Sequence, residues 1–342
     1  MNIEELEGSP NEQVQQVSSS ENTSTSFLWA RLLKEVRNYW EFFILLFFLI
    51  GLGGGYLIGI RDLSTWYGNQ VEGERSNLQE ATLTEQLIEQ INPPEGYPLK
   101  VKFGDLGPQL LAAGAVDFDA FVKVYENTGQ PLSEKQLAVL RQGSDAEIIF
   151  DRENAYFLLN FFWALGLANE NPILTDGPIV EYSEGQIERF ASTGGWSIST
   201  KPVTELYASA KILPLSAEQQ KRLDKVAQGV YRPCCNNPTN FPDCNHGMAM
   251  LGMLELMAFN GASEEEMFEA AKYANAYWFP QQTLELATFY KSTQGLNFSE
   301  VDSKELVGPN FSSGSGFQAV HQWLIENGVL AGSSGGGSSC GV

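Results

Sequence analysis

Apolar positions run unbroken in one stretch and recur at helical spacing almost everywhere else. From Phe42 to Ile60, nineteen residues (FFILLFFLIGLGGGYLIGI) pass without a charge. At a helical rise of ~1.5 Å this covers roughly 28 Å, close to a hydrocarbon core of ~30 Å. Tyr39 and Trp40 stand just before it, where aromatic rings favour the lipid–water interface. The run predicts one transmembrane helix. A cleaved signal peptide fits less well, because a long segment precedes the run and no small-x-small site follows. Arg31, Lys34 and Arg37 lie before the span; Arg61 and then Asp62, Glu72 and Glu74 lie after it. The positive-inside rule puts the N-terminus in the cytoplasm and the bulk of the chain outside. Gly51, Gly55 and Gly59 recur every four residues and would let two such helices approach as a homodimer; glycine enrichment in membrane helices is the alternative.

Downstream the pattern is mainly α. ATLTEQLIEQI reads as a stalk helix stopped by Asn92, Pro93 and Pro94. PLKVKFG alternates like a short strand without an obvious partner, and WSIST like another. LGPQLLAAGA and FDAFVKVYENTG predict short helices. Ser133/Gln136, Ser216/Gln219 and Ser263/Glu266 have the spacing of capping boxes, each opening a further helix. EIIFDRENAYFLLNFFWALGLAN reads as helical, and its segment from Ala155 to Ala168 is apolar except for Asn160. That segment is too short to span a bilayer and predicts a buried core helix. TLELATFYKST and GFQAVHQWLIENG predict the last two helices, with Gly328 as a stop.

The domain reading follows: a polar, disordered tail over 1–26, a juxtamembrane segment and membrane helix over 27–61, and a stalk over 62–96. A mostly helical globular domain with few short strands covers 97–330, and a Gly/Ser-rich tail covers 331–342. Composition narrows the partners. Against 21 Lys and Arg stand 42 Asp and Glu, a formal charge of −21. Such a chain repels phosphate backbones, which argues against nucleic acid; the expected partner is the bilayer, through residues 42–60.

The chemistry-bearing residues gather in YRPCCNNPTNFPDCNHGMAMLGMLELM, Tyr231 to Met257. It holds three of four cysteines and one of two histidines. Asp243 can cap a helix beginning near Asn245, which sets Cys244 at a helix N-terminus where the dipole favours thiolate. His246, Met250, Met253 and Met257 then share one helix face.

Three readings of the stretch stay open. Cys234, Cys235, Cys244 and His246, with Cys340 from the tail, have the ligand chemistry for a soft ion, zinc or copper. Their spacing matches no standard finger pattern. Four cysteines outside the cytoplasm also suit structural disulfides, with three possible pairings. Alternatively, Cys244 is the nucleophile of a thiol hydrolase or transferase with His321 as its base. The methionine stripe reads more simply as core packing, and His321 as an ordinary helix-face histidine. The sequence carries no haem-attachment, dinucleotide, phosphate-loop, HExxH or GxSxG motif. It implies a membrane-anchored extracytoplasmic protein with a metal-binding or disulfide-locked Cys/His cluster, and names no reaction.

Overall fold

The computed structural model describes Lys34 and residues 39–330, less some side chains between 55 and 80. The tails read at 1–26 and 331–342 lie outside the described residues. The chain divides into two units between Gln79 and Glu80. Mainly helical architecture is as the patterning predicts, with one two-stranded sheet.

Helix α1, Trp40–Ile91, carries the first unit and opens the second. Nine successive large apolar side chains, Phe42 to Ile50, are exposed, between 39% and 71%. Among the described residues, no helix is long and apolar enough to cross a membrane. The transmembrane helix expected over 42–60 is therefore not supported by the described helices. At the other end of α1, Leu87 and Ile91 are buried, and Asn92 with Pro93 and Pro94 stops the helix as read.

The second unit begins with β1, Tyr97–Gly104, which pairs antiparallel with β2, Ser144–Phe150. The sequence pattern gives β1 no partner and runs EIIF, the second half of β2, into a helix. Tyr97 faces Phe150 and Lys102 faces Glu147, with a register shift between Pro98 and Lys102. β1 takes four steps there against two on β2, and Lys100, at φ +57°, lies inside the bulge. WSIST is not a strand: it follows a helical turn, Ala191–Gly194, as irregular chain. Its one indole, Trp196, donates to Ala115 O, and the turn before it is held by Trp163, which donates to Ser192 O.

Between the strands lie α2 (Leu106–Ala112), α3 (Phe118–Asn127) and α4 (Glu134–Gln142). After them come α5 (Ala155–Ala168), α6 (Ala217–Gly229), α7 (Asn245–Phe259), α8 (Glu264–Trp278), α9 (Pro280–Gln294) and α10 (Gly314–Glu326). All three capping boxes form, with side chain and backbone bonded reciprocally. Pro280 does not end a helix so much as start the next, at its first position, where its missing N–H costs nothing.

Two helices make the centre. In α5 every residue but Tyr156 is buried, and in α7 every residue but His246 and Phe259. They meet glycine to glycine. A Cβ on Gly166 would overlap the Met248 carbonyl oxygen, and one on Gly252 the Phe162 carbonyl oxygen. That close backbone approach explains why α7 has no polar face. Met250, Met253 and Met257 are core, as is Met248 on the same helix. A second cluster joins Leu87, Ile91, Tyr273, Leu286, Tyr290, Phe298, Phe317 and Leu324 from α1, α8, α9 and α10. The cysteine stretch lies between α6 and α7, fixed by the first core and touched by α10.

Candidate metal centre

The loop from Tyr231 to Asp243 has no helix or strand of its own, so its backbone groups are met by neighbours. Tyr231 N–H donates to Val307 O (2.7 Å), and Thr239 N–H to Val230 O (2.9 Å). Asn275 of α8 donates to Tyr231 O (2.9 Å). The N-terminus of α10 closes the other side. Gly314 N–H donates to Cys235 O (2.7 Å) and Ser315 N–H to Asn236 Oδ1 (2.8 Å).

This scaffold brings three sulfurs together. Cys234 Sγ is 3.6 Å from Cys244 Sγ and 3.9 Å from Cys235 Sγ. All three lie within 4.8 Å of one another, close enough to hold one metal ion. A tetrahedral ion with M–S of ~2.3 Å holds its sulfurs about 3.8 Å apart, so the spacing fits. The separations far exceed an S–S bond of ~2.05 Å, and no disulfide joins the three. Cys234 and Cys235 are half-buried and Cys244 is buried, so the cluster faces solvent from one side.

Cys244 is itself the N-cap of α7. Its sulfur accepts from Gly247 N–H at 3.3 Å. The sequence reading gave that role to Asp243. Asp243 instead accepts from Arg232 Nη2 at 2.8 Å and from Asn237 Nδ2 at 2.7 Å. The helix start at Asn245 and the placing of Cys244 at a helix N-terminus stand.

Arg232 completes the centre. It has no exposed surface. Its Nε donates to Cys244 Sγ at 3.1 Å, Nη1 to Asn237 O at 2.9 Å, and Nη2 to Asp243 and Phe241 O. Gly247 makes room for it: a Cβ there would overlap the guanidinium. Hydrogen bonds from Cys234 and Cys235, then the Arg232 charge, outweigh burial and hold the Cys244 thiol well below its ordinary range. Cys235 goes the other way. A hydrogen bond from Cys234 opposes the shift, but the bond to Cys244 and burial push Cys235 up to about 12. Of the three sulfurs, Cys244 is the one whose surroundings favour the thiolate, with a guanidinium beside it.

The remaining sequence candidates fall differently. His246 follows Cys244 but is not in the sulfur group. Its Nδ1 lies 3.0 Å from Asn245 Oδ1, and its ring stands 4.4 Å from that of Phe279. Burial of that ring lowers its pKa to about 4, leaving it neutral at pH 7. His321 Nδ1 lies 2.7 Å from Glu285 Oε2, so its partner is that carboxylate and not Cys244. Cys340 lies outside the described residues. Arg232 and Gly247 were missed in the sequence; the signal for Arg232 was an arginine two residues before a cysteine pair, otherwise indistinguishable from a surface charge. No protein-family model, no curated protein and no solved structure matches the chain.

Proposed function

We propose that this chain is a membrane-anchored protein that binds a soft metal ion, Zn²⁺ or Cu⁺, through Cys234, Cys235 and Cys244. One observation carries the metal reading: three sulfurs converge, one of them accepting hydrogen bonds from a buried arginine and a helix N-terminus. Thiolates select soft ions, and the half-buried cysteines supply an open side for a fourth ligand. Water or Cys340 would suit that position. Arg232 offsets part of the negative charge that three thiolates bring.

Anchoring through residues 42–60 is supported by the exposed apolar stretch from Phe42 to Ile50. Contiguous apolar surface of this kind in water calls for lipid or a partner. The basic residues before it favour a cytoplasmic N-terminus and an extracytoplasmic bulk. Gly51, Gly55 and Gly59 would allow a second copy to pack there. The thiol hydrolase or transferase reading has less support, since His321 is engaged with Glu285 and Cys244 is buried.

The test is metal content of the full-length chain purified under mild reduction. One equivalent of zinc or copper, lost when Cys234, Cys235 and Cys244 are all replaced by serine, is expected. A wild-type chain that stays metal-free after exposure to both ions ends the metal reading. Release from membranes by alkaline carbonate would end the anchoring reading.

A further inference from the structure

The three sulfurs differ in access, and the difference has a redox meaning. Cys244 is buried, hydrogen-bonded by Arg232 Nε and Gly247 N–H, and seated at the start of α7. Cys234 is half-buried and reachable from the open side. Their sulfurs are 3.6 Å apart, at van der Waals contact, and separated by ten positions in a loop without regular structure. A rotation about the side-chain torsions of the half-buried partner brings them to bonding distance. A buried sulfur in contact with a less buried one is the arrangement of a resolving and an attacking cysteine.

We propose that Cys234 and Cys244 form a dithiol–disulfide couple that exchanges with small-molecule disulfides, and that its oxidation expels the metal. Cys234, the reachable sulfur, loses its proton to solvent and attacks a disulfide RSSR, forming Cys234–S–S–R and releasing RS⁻. Cys244, losing its own proton, then attacks the Cys234 sulfur, closes the protein disulfide and expels the second RS⁻. The protons lost by the two cysteines return to the two released thiolates. In sum, Cys234–SH + Cys244–SH + RSSR gives Cys234–S–S–Cys244 + 2 RSH. The small disulfide is reduced by two electrons and the protein dithiol is oxidised by two. Cys235 is left as a single thiol, which cannot hold the ion alone. Arg232 orients Cys244 and is a positioning residue in this exchange. The dithiol step stands on the sulfur geometry; only the expulsion of the ion rests on the metal-binding reading.

The experiment treats the full-length, metal-stripped chain with oxidised glutathione at neutral pH and maps its peptides. Loss of two thiols and a Cys234–Cys244 cross-linked peptide, with no lasting glutathione adduct, is expected. In Cys244→Ala a stable glutathione adduct on Cys234 should accumulate, the first intermediate with its resolving partner removed. Because that change also removes the helix cap, Cys234→Ala serves as a second variant, in which the loss of two thiols should disappear. A wild-type chain that keeps a glutathione adduct, or that joins Cys234 to Cys235 or to Cys340 instead, overturns the couple. In a parallel arm the zinc-loaded chain is oxidised in the presence of a metal-sensitive dye. Release of zinc in step with thiol loss supports expulsion, and a disulfide that forms while zinc stays bound overturns it. A chain that binds no zinc defeats the metal reading alone, because the peptide map of the stripped chain still decides the couple.

Discussion

Arg232 buries a whole positive charge with no exposed surface, a placement that costs several kcal/mol unless every donor is met and a counter-charge is near. Each of its nitrogens is met: by the Cys244 sulfur, by two backbone carbonyls, by the Asp243 carboxylate. The same guanidinium therefore fixes the loop and charges the thiol. Replacing it with lysine keeps the charge but loses the planar fork. R232K is expected to weaken metal binding by about 10- to 100-fold, as losses of outer-shell partners do, read by chelator competition. An unchanged affinity would detach Arg232 from the site. Gly247 is bound to the same arrangement. G247A would drive a methyl into the guanidinium, so it should lower stability and slow iodoacetamide labelling of Cys244 at neutral pH. Labelling as fast as in the parent chain would mean the thiolate does not depend on Arg232.

At the scale of elements, the contact between α5 and α7 sets where the cysteine loop can go. Gly166 and Gly252 let the two backbones touch, and α7 then begins at Cys244 with its sulfur turned toward Arg232. G252A should cost about 1–3 kcal/mol in urea unfolding, the usual range for overpacking a core. A loss within experimental error would mean that the helices have slack the geometry does not show. The Ser263 cap of α8 offers a control far from the centre: S263A should cost about 1 kcal/mol and leave metal content unchanged. The capping boxes, the helix stops at Asn92 and Gly328 and the burial of α5 were all readable in the sequence, since each depends on residues within a turn or two of one another. The pairing of β1 with β2 was not. Thirty-nine residues carrying three short helices intervene, and SDAEIIF alone has the pattern of either element.

Over the whole molecule, buried titrating groups pull stability in opposite directions with pH. Burial lowers His246 to about 4 from 6.5. Between those values the unfolded chain takes up a proton that the folded chain refuses, so stability falls as pH drops from 6.5 to 4. Glu255 does the reverse. It is fully buried on α7, and both its oxygens lack a hydrogen bond of good geometry; the amides of Asn169 and Asn171 on its side lower its pKa only in part. Burial raises it well above 4.5, so above that pH the folded chain keeps a proton that the unfolded chain loses, and stability falls as pH rises. E255Q removes only this second effect. Urea unfolding at pH 4, 5.5 and 7 should show a variant gaining on the parent chain as pH increases, with the smallest difference at pH 4. A constant difference across the series would mean that Glu255 is ionised in the fold.

What the chain order alone decided is local or compositional: the long apolar run, the caps and stops, the mainly helical class, and the gathering of three cysteines within eleven residues. Such features follow from side-chain period, from hydrogen bonds spanning three or four residues, and from covalent proximity. The tertiary structure decided which sulfurs face one another, which one is charged, and that His246 and His321 turn to other partners. Those outcomes depend on a buried guanidinium, on two glycines pressed together and on a helix N-terminus 79 positions after Asn236. Burial and field strength at a sulfur come from everything packed around it, and no spacing along the chain encodes them.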